Sequence, residues 1–320
     1  MREAAARLAH GGVVAFPTET VYGLGADAAN AAAVAKIFRL KRRPADHPVI
    51  VHIASADALD EWAATVPDAA RKLAAAFWPG PLTMILAKSA RVPAAVTGGQ
   101  SSVGLRCPSH PMAQELLREF DRAGRAGIAA PSANRFGHVS PTTAQHVREE
   151  FGDEVPVLDG GPCEVGLEST IVDLSRGDPV LLRPGGITRA QVERVLGKYL
   201  RDRDAHAPRA SGTLAAHYAP RTALSIASPA SLEAQLHVLT NVAVLALREP
   251  PFDCRATYWI TALEDASGYG HDLYANLRRL DEAGAKLILV EAPPAGPEWE
   301  AVNDRLARAA AGSLELDDET

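Results

Sequence analysis

The chain has 320 residues, of which 47% are apolar, 22% charged and 5% aromatic, with a formal net charge of −6; at ~150 residues per domain it has room for about two folded units, and it is too apolar for a disordered chain. No apolar run nears the ~20 residues that cross a bilayer, and the first ten residues lack the apolar stretch of a secretion signal. Three scattered cysteines, Cys107, Cys163 and Cys254, exclude a disulfide framework or a cysteine-rich zinc site and fit a cytoplasmic protein.

Along residues 11–183, short β-like runs alternate with helical patterns. Strands are expected over 12–16, 49–54, 82–87, 102–106, 127–130, 155–158, 170–174 and 180–182. Helices are expected over 30–40, 56–64, 68–77, 111–120, 142–151 and 189–196. Such alternation predicts an α/β sheet covered by helices. Residues ~197–222 are polar and without period, as a linker would be. Beyond them, strands over 223–227, 242–247, 256–260 and 286–290 and helices over 231–239, 269–283 and 297–311 predict a smaller, parallel-sheet unit. The last seven residues, 314–320, read as a frayed acidic tail. Residues 1–200 carry 22 Lys and Arg against 21 Asp and Glu, the remainder 11 against 18. The first part is therefore the better host for an anionic ligand.

Several stretches do not look like packing. Phe16-Pro-Thr-Glu-Thr-Val-Tyr-Gly-Leu-Gly-Ala-Asp27 puts two glycines, two threonines and the Glu19 carboxylate after a strand. Its local pattern fits a plain strand-to-helix loop as well as a backbone that closely approaches a ligand. Lys41-Arg-Arg-Pro-Ala-Asp-His-Pro48 is a basic cluster stiffened by two prolines. It fits a solvated helix end or a rigid holder of phosphate oxygens. Pro131-Ser-Ala-Asn134, Glu168-Ser-Thr170 and Leu182-Arg-Pro-Gly-Gly-Ile-Thr188 place hydroxyls, an amide and an arginine at strand ends, where open α/β sheets bind ligands. Ser102 and Arg106 share one strand face, and His52 stands opposite Val51 and Ile53. No GxxxxGK[ST], HExxH, CxxC or GxSxG motif occurs. The pattern suits holding an anionic substrate rather than covalent attack on it.

Together these stretches resemble one family, the threonylcarbamoyl-adenylate synthases with a YrdC-like domain. The resemblance rests on Phe16–Gly25, Lys41-Arg-Arg-Pro44, His47-Pro-Val-Ile-Val-His52, Trp78-Pro-Gly-Pro-Leu-Thr83, Val103-Gly-Leu-Arg106, Pro131–Asn134, Gly166-Leu-Glu-Ser-Thr-Ile-Val172 and Leu182-Arg-Pro-Gly185, in the family's order. His217-Tyr-Ala-Pro220 is similar to an element of the longer, two-domain form. The resemblance implies a twisted mixed α/β sheet with helices around a large polar cavity (residues 1–197), a linker folding over the site (198–222) and a small Rossmann-like α/β domain (223–320). It implies an L-threonylcarbamoyladenylate synthase, a nucleotidyltransferase. Such an enzyme joins L-threonine, bicarbonate or CO2, and ATP with its Mg²⁺, releases pyrophosphate, and supplies the threonylcarbamoyladenosine modification of tRNA. A downstream tRNA threonylcarbamoyl-transferase machinery would be its partner, with room for weak tRNA binding.

Carried onto this sequence, the resemblance makes Lys41 and Arg43 the catalytic pair that holds the triphosphate. Thr20, His52, Arg106, Ser132 and Ser169 would bind threonine or its carbamate, with Arg106 on the carboxylate. His47, Ser102, Asn134, Thr142, Arg183 and Tyr218 would join Arg43 on the nucleotide side, and no residue is expected to ligate a resident metal. In the linker, Leu214-Ala215 stand where the family often has a Lys-Tyr pair, leaving His217 and Tyr218 as the candidate contacts there.

Overall fold

The computed structural model describes residues 1–317. The chain divides into two units: 1–136 with 141–213, and 137–140 with 214 onward. The division at Thr213 falls inside the expected linker. Residues 198–213 join the first unit because their polar groups are satisfied there. Arg209 pairs with Asp46 at 2.9 Å and its backbone N–H donates to Gln100 Oε1 at 2.7 Å, and the Ser211 hydroxyl donates to Pro48 O at 3.0 Å.

The first unit runs α1 (Arg2–Ala9), β1 (Val14–Phe16), β2 (Gly23–Asp27), α2 (Ala31–Lys41), β3 (Ile50–His52), α3 (Leu59–Trp62), α4 (Asp68–Phe77), β4 (Leu82–Ala87), α5 (Ala94–Thr97), β5 (Ser102–Arg106), α6 (Pro111–Arg122), β6 (Ile128–Ala129), α7 (Ala144–Phe151), β7 (Thr170–Asp173), β8 (Val180–Arg183), α8 (Arg189–Leu196) and β9 (Arg201–Asp202). Its nine strands form one mixed sheet in the order β1-β2-β6-β3-β5-β4-β7-β8-β9. Several apolar clusters cover it. Leu8, Phe16, Phe120 and Ile128 form one, Tyr22, Leu24, Ile37 and Val147 another, and Leu73, Met84, Leu105 and Val192 the largest.

Two expectations change. Residues 23–27 are a strand rather than a loop. Its glycines permit close sheet packing, since a Cβ on Gly25 would lie 2.8 Å from the Phe16 ring and 2.9 Å from Ile128. Residues 155–158 form no strand of their own; they join the β1 edge through one bridge, Ala15 to Val157. The helix α1 lies outside the sequence expectation as well.

The second unit contains β10 (Leu224–Ala227), α9 (Pro229–Val238), β11 (Val242–Ala246), β12 (Tyr258–Thr261), α10 (Ala266–Asp281), β13 (Leu287–Glu291) and α11 (Glu300–Asp317). Its four strands are all parallel, in the order β10-β13-β11-β12, as the alternating pattern predicted. Leu232, Val244 and Leu289 lie in its core. Of the expected frayed tail, residues up to Asp317 continue α11, and the last three lie outside the described residues. Among the described residues, no helix is long and apolar enough to cross a membrane.

Candidate active site

The two cations expected on phosphate are set by the end of one helix. Asn30 caps α2, accepting from Ala32 N–H and Ala33 N–H. The helix stops at Lys41 because Arg42 turns left-handed, with φ of 53°. That conformation costs an L-residue about 1–2 kcal/mol, so the surrounding contacts must hold it. They do: Arg43 N–H donates to Phe38 O, and Phe136 N–H donates to Lys41 O at 2.8 Å.

Lys41 is 1% exposed. Its Nζ donates to Ser132 O at 2.6 Å and Asn134 O at 2.5 Å. Burial pushes its pKa well below the usual lysine range, and the Arg43 charge adds to the effect. The loop that supplies those carbonyls is pinned in turn. Leu24 N–H donates to Pro131 O, Ala133 N–H donates to Tyr22 O, and Ser132 bridges Gly23. Arg43 Nη2 donates to Pro48 O at 3.0 Å, and its guanidinium lies 5.4 Å from the centre of the Phe136 ring. His47 meets the same ring edge-on at 5.3 Å. Burial, and then Arg43, lower the His47 pKa.

A second cluster forms at the ends of β4, β5, β7 and β8. Arg183 donates to Ser169 O through Nε (3.1 Å) and Nη2 (2.8 Å), to Ser169 Oγ (3.2 Å), and to Ser211 O (2.9 Å). Ser169 Oγ lies 2.8 Å from Thr83 Oγ1. Strand register sets Thr83 opposite Arg106, and Arg106 beside His52. The backbones of 168–170 and 185 touch so closely that a Cβ on Gly185 would fall 2.5 Å from Glu168 O and 2.5 Å from Thr170 N. Only glycine permits that approach.

Arg106 already faces a carboxylate. Its Nη2 lies 2.8 Å from Glu19 Oε1, with both side chains buried. The pair is in contact without alignment, for neither Glu19 oxygen has a hydrogen-bond partner. His52 Nδ1 also has none, and burial with the nearby Arg106 lowers that histidine to about 3. Buried polar groups left so are where ligand atoms are expected. Thr20 sits in the turn beside Glu19, its hydroxyl 2.8 Å from that of Thr18.

The two clusters meet at Pro48. Its carbonyl accepts from Arg43 and from Ser211, and Ser211 O accepts from Arg183. Most of the site residues expected from sequence therefore belong to one linked, buried, polar set. Ser102 lies at the start of β5 on the Arg106 face, buried. Thr142 is buried and fixed by His146, whose Nδ1 accepts from its N–H at 3.2 Å. Tyr218 belongs to the second unit. There it is buried at φ of 63°, beside Tyr274 and beneath the Arg305 guanidinium.

Sequence reasoning did not single out Glu19, Thr83, Phe136 or Ser211 as site residues. Glu19 and Thr83 stand inside the motifs that carried the resemblance, and Phe136 follows one by two positions. Neither of the two buried thiols is poised as a nucleophile: burial raises Cys107 to about 11 and Cys163 to about 12. Among the described residues, no three His, Cys, Asp or Glu side chains group to hold a metal ion.

Fold and site together define an α/β protein with a cation-lined interior followed by a small parallel-sheet unit, and comparison with known proteins agrees. Residues 6–185 match the Sua5, YciO and YrdC family model, described as "Telomere recombination". Residues 187–311 match the model of the "Threonylcarbamoyl-AMP synthase, C-terminal domain". The chain is 37% identical to the threonylcarbamoyl-AMP synthase of Pyrococcus abyssi, over 97% of this chain and 93% of that one. It is 40% identical to the Bacillus subtilis enzyme of the same name, over 98% and 93%. The crystal structure of P. abyssi Sua5 complexed with L-threonine superposes with a TM-score of 0.88 at 37% identity, covering 98% of this chain and 94% of that one. E. coli YciO, at 24% identity and a TM-score of 0.51, shares the fold of the first unit. The chain belongs to the threonylcarbamoyl-AMP synthase family, in its two-domain form.

Proposed function

We propose that this chain catalyses L-threonylcarbamoyladenylate synthesis, joining L-threonine, bicarbonate or CO2, and ATP to give threonylcarbamoyl-AMP and pyrophosphate. The observation that carries the proposal is the continuous polar cluster from Lys41 and Arg43 through Pro48 and Ser211 to Arg183, Ser169, Thr83 and Arg106. One end is cationic and suits a triphosphate; the other offers hydroxyls, His52 and the Arg106–Glu19 pair to an amino acid.

The residues act by positioning. Arg106 takes the threonine carboxylate, within a wall made by Thr20, His52, Ser132 and Ser169. The neutral amine attacks the carbon of CO2 and releases a proton, or that of bicarbonate with loss of water, to form a carbamate, which a closed pocket shields from water. A carbamate oxygen then attacks the α-phosphate and pyrophosphate leaves. Lys41 and Arg43 offset the charge that grows on the phosphoryl oxygens. Asn134, Ser102, Thr142, His47 and Arg183 hold the nucleotide side. Magnesium carried by the ATP substrate would add charge neutralisation to that of Lys41 and Arg43. Holding the reactants together contributes ~7–11 kcal/mol through effective molarity. Serine is rejected only about 10-fold or somewhat more, because one methyl discriminates weakly. The product is labile, so we place the enzyme in the cytoplasm with the machinery that transfers the threonylcarbamoyl group to tRNA.

The test is pyrophosphate release from ATP with threonine and bicarbonate each omitted in turn. Release should need both. Arg43→Ala should lower turnover by on the order of 10²-fold or more, as loss of a preorganised donor does. Release that ignores threonine would end the proposal.

A further inference from the structure

A second cationic feature lies outside the cluster just described. A groove of about 490 Å³ in the first unit is lined by Val13, Lys36, Arg39, Leu40, Arg42, Arg135 and Glu154. Lys36, Arg39 and Arg42 follow one another three residues apart, so α2 and its left-handed end present them as a single stripe. None of the four cations lies within salt-bridge distance of a carboxylate among the described residues, although many other arginines of this chain do, from Arg71–Asp60 to Arg308–Asp304. Lys36 donates to Gly11 O, and Arg135 packs over the Phe151 ring, which leaves its guanidinium edge for other acceptors. Four cations face Glu154, with Glu150 close behind, its Oε2 accepting from Arg135 N–H at 3.0 Å; cations remain in excess in a concave place, and such a place concentrates anions.

The groove residues interleave with those of the candidate active site. Arg42 stands between Lys41 and Arg43, and Arg135 between Asn134 and Phe136, while Phe136 N–H to Lys41 O ties the two segments together. One wall of chain therefore offers one set of cations to each side. We propose that this groove is a second phosphate-binding site, taking a di- or triphosphate chain, either free or as a length of nucleic-acid backbone. Two or three neighbouring phosphates match the Arg39, Arg42 and Arg135 forks, which bind such oxygens in pairs. An anion bridging Arg42 and Arg135 would clamp the left-handed turn that orients Lys41 and Arg43.

The inference goes beyond the proposed reaction and is read by binding alone. Equilibrium dialysis of labelled inorganic triphosphate is done on the full chain carrying Lys41→Ala and Arg43→Ala, which disables the first site whatever its natural ligand. That protein should still bind triphosphate. Adding Arg39→Glu and Arg135→Glu should weaken the remaining binding by on the order of 10²-fold, because like charges then face each other, with an unchanged melting curve as the control for folding. Retained binding after charge reversal, or no binding before it, overturns the proposal. An unlabelled RNA duplex is the second arm. Displacement that fades steeply with salt identifies backbone phosphate as the source, and failure to displace identifies a free oligophosphate.

Discussion

His52 shows how a single buried group makes stability depend on pH. Its folded pKa of about 3 lies below its ordinary 6.5, so the unfolded chain binds the proton more readily. Its contribution is complete above pH 6.5 and is lost progressively as pH falls towards 3. Urea midpoints measured across that range should drop for the native chain and drop less for His52→Gln; parallel curves would contradict the assignment. The same residue marks what the sequence could and could not reveal. A histidine in the apolar run Val49–Ile53 is visible as an oddity, and alternation gives its face. Its Nδ1 without a partner and the Arg106 charge beside it depend on β3 pairing with β5 across 54 residues, which no local pattern encodes. Glu19 is similar: a carboxylate in a turn is visible, but its contact with Arg106 is long-range.

At the next size up, elements are held by contacts that tolerate no added atom. Gly185 lets β8 and its turn lie directly on the 168–170 backbone. Gly185→Ala should therefore cost about 1–3 kcal/mol by overpacking. By displacing Arg183 from Ser169, it should also raise the KM for substrates more than a surface substitution of equal stability cost. Melting temperature and steady-state kinetics measured together check this. Helix α8 matches its expected bounds because it carries its own signals, a full capping box at Thr188 and Gln191 with Gly197 ending it; α4 matches on its apolar spacing alone, with no side chain capping its start. The strand β2 is not legible locally, since Gly23-Leu-Gly-Ala-Asp27 lacks the branched side chains that mark strands. It is stabilised by its neighbours β1 and β6 rather than by its own residues.

For the molecule in its entirety, the two separate cores imply separable unfolding. Leu289 is fully buried in the second core with Val244 and Leu232. Leu289→Ala should destabilise that unit by about 2–5 kcal/mol, and calorimetry should show one transition moving while another stays. A single transition that shifts as one would mean that the units melt as one cooperative block. The sequence gives the number of units and the parallel sheet of the second, because both follow from alternation and length. It brackets the division between them without fixing its point: residues 198–213 have the composition of a linker, and Arg209 and Ser211 tie them to the first unit.

Residues 137–140 belong with the second unit although both flanking segments belong with the first. Gly137 O accepts from Ala219 N–H, and Val139 O accepts from Arg278. No single cut of the polypeptide can therefore yield two intact halves. Shuffling the C-terminal portion between relatives would strand a tetrapeptide among foreign neighbours unless it were transplanted too. Natural variation at 137–140 should accordingly track variation around Ala219 and Arg278, binding the inheritance of both halves to one short detour of the chain.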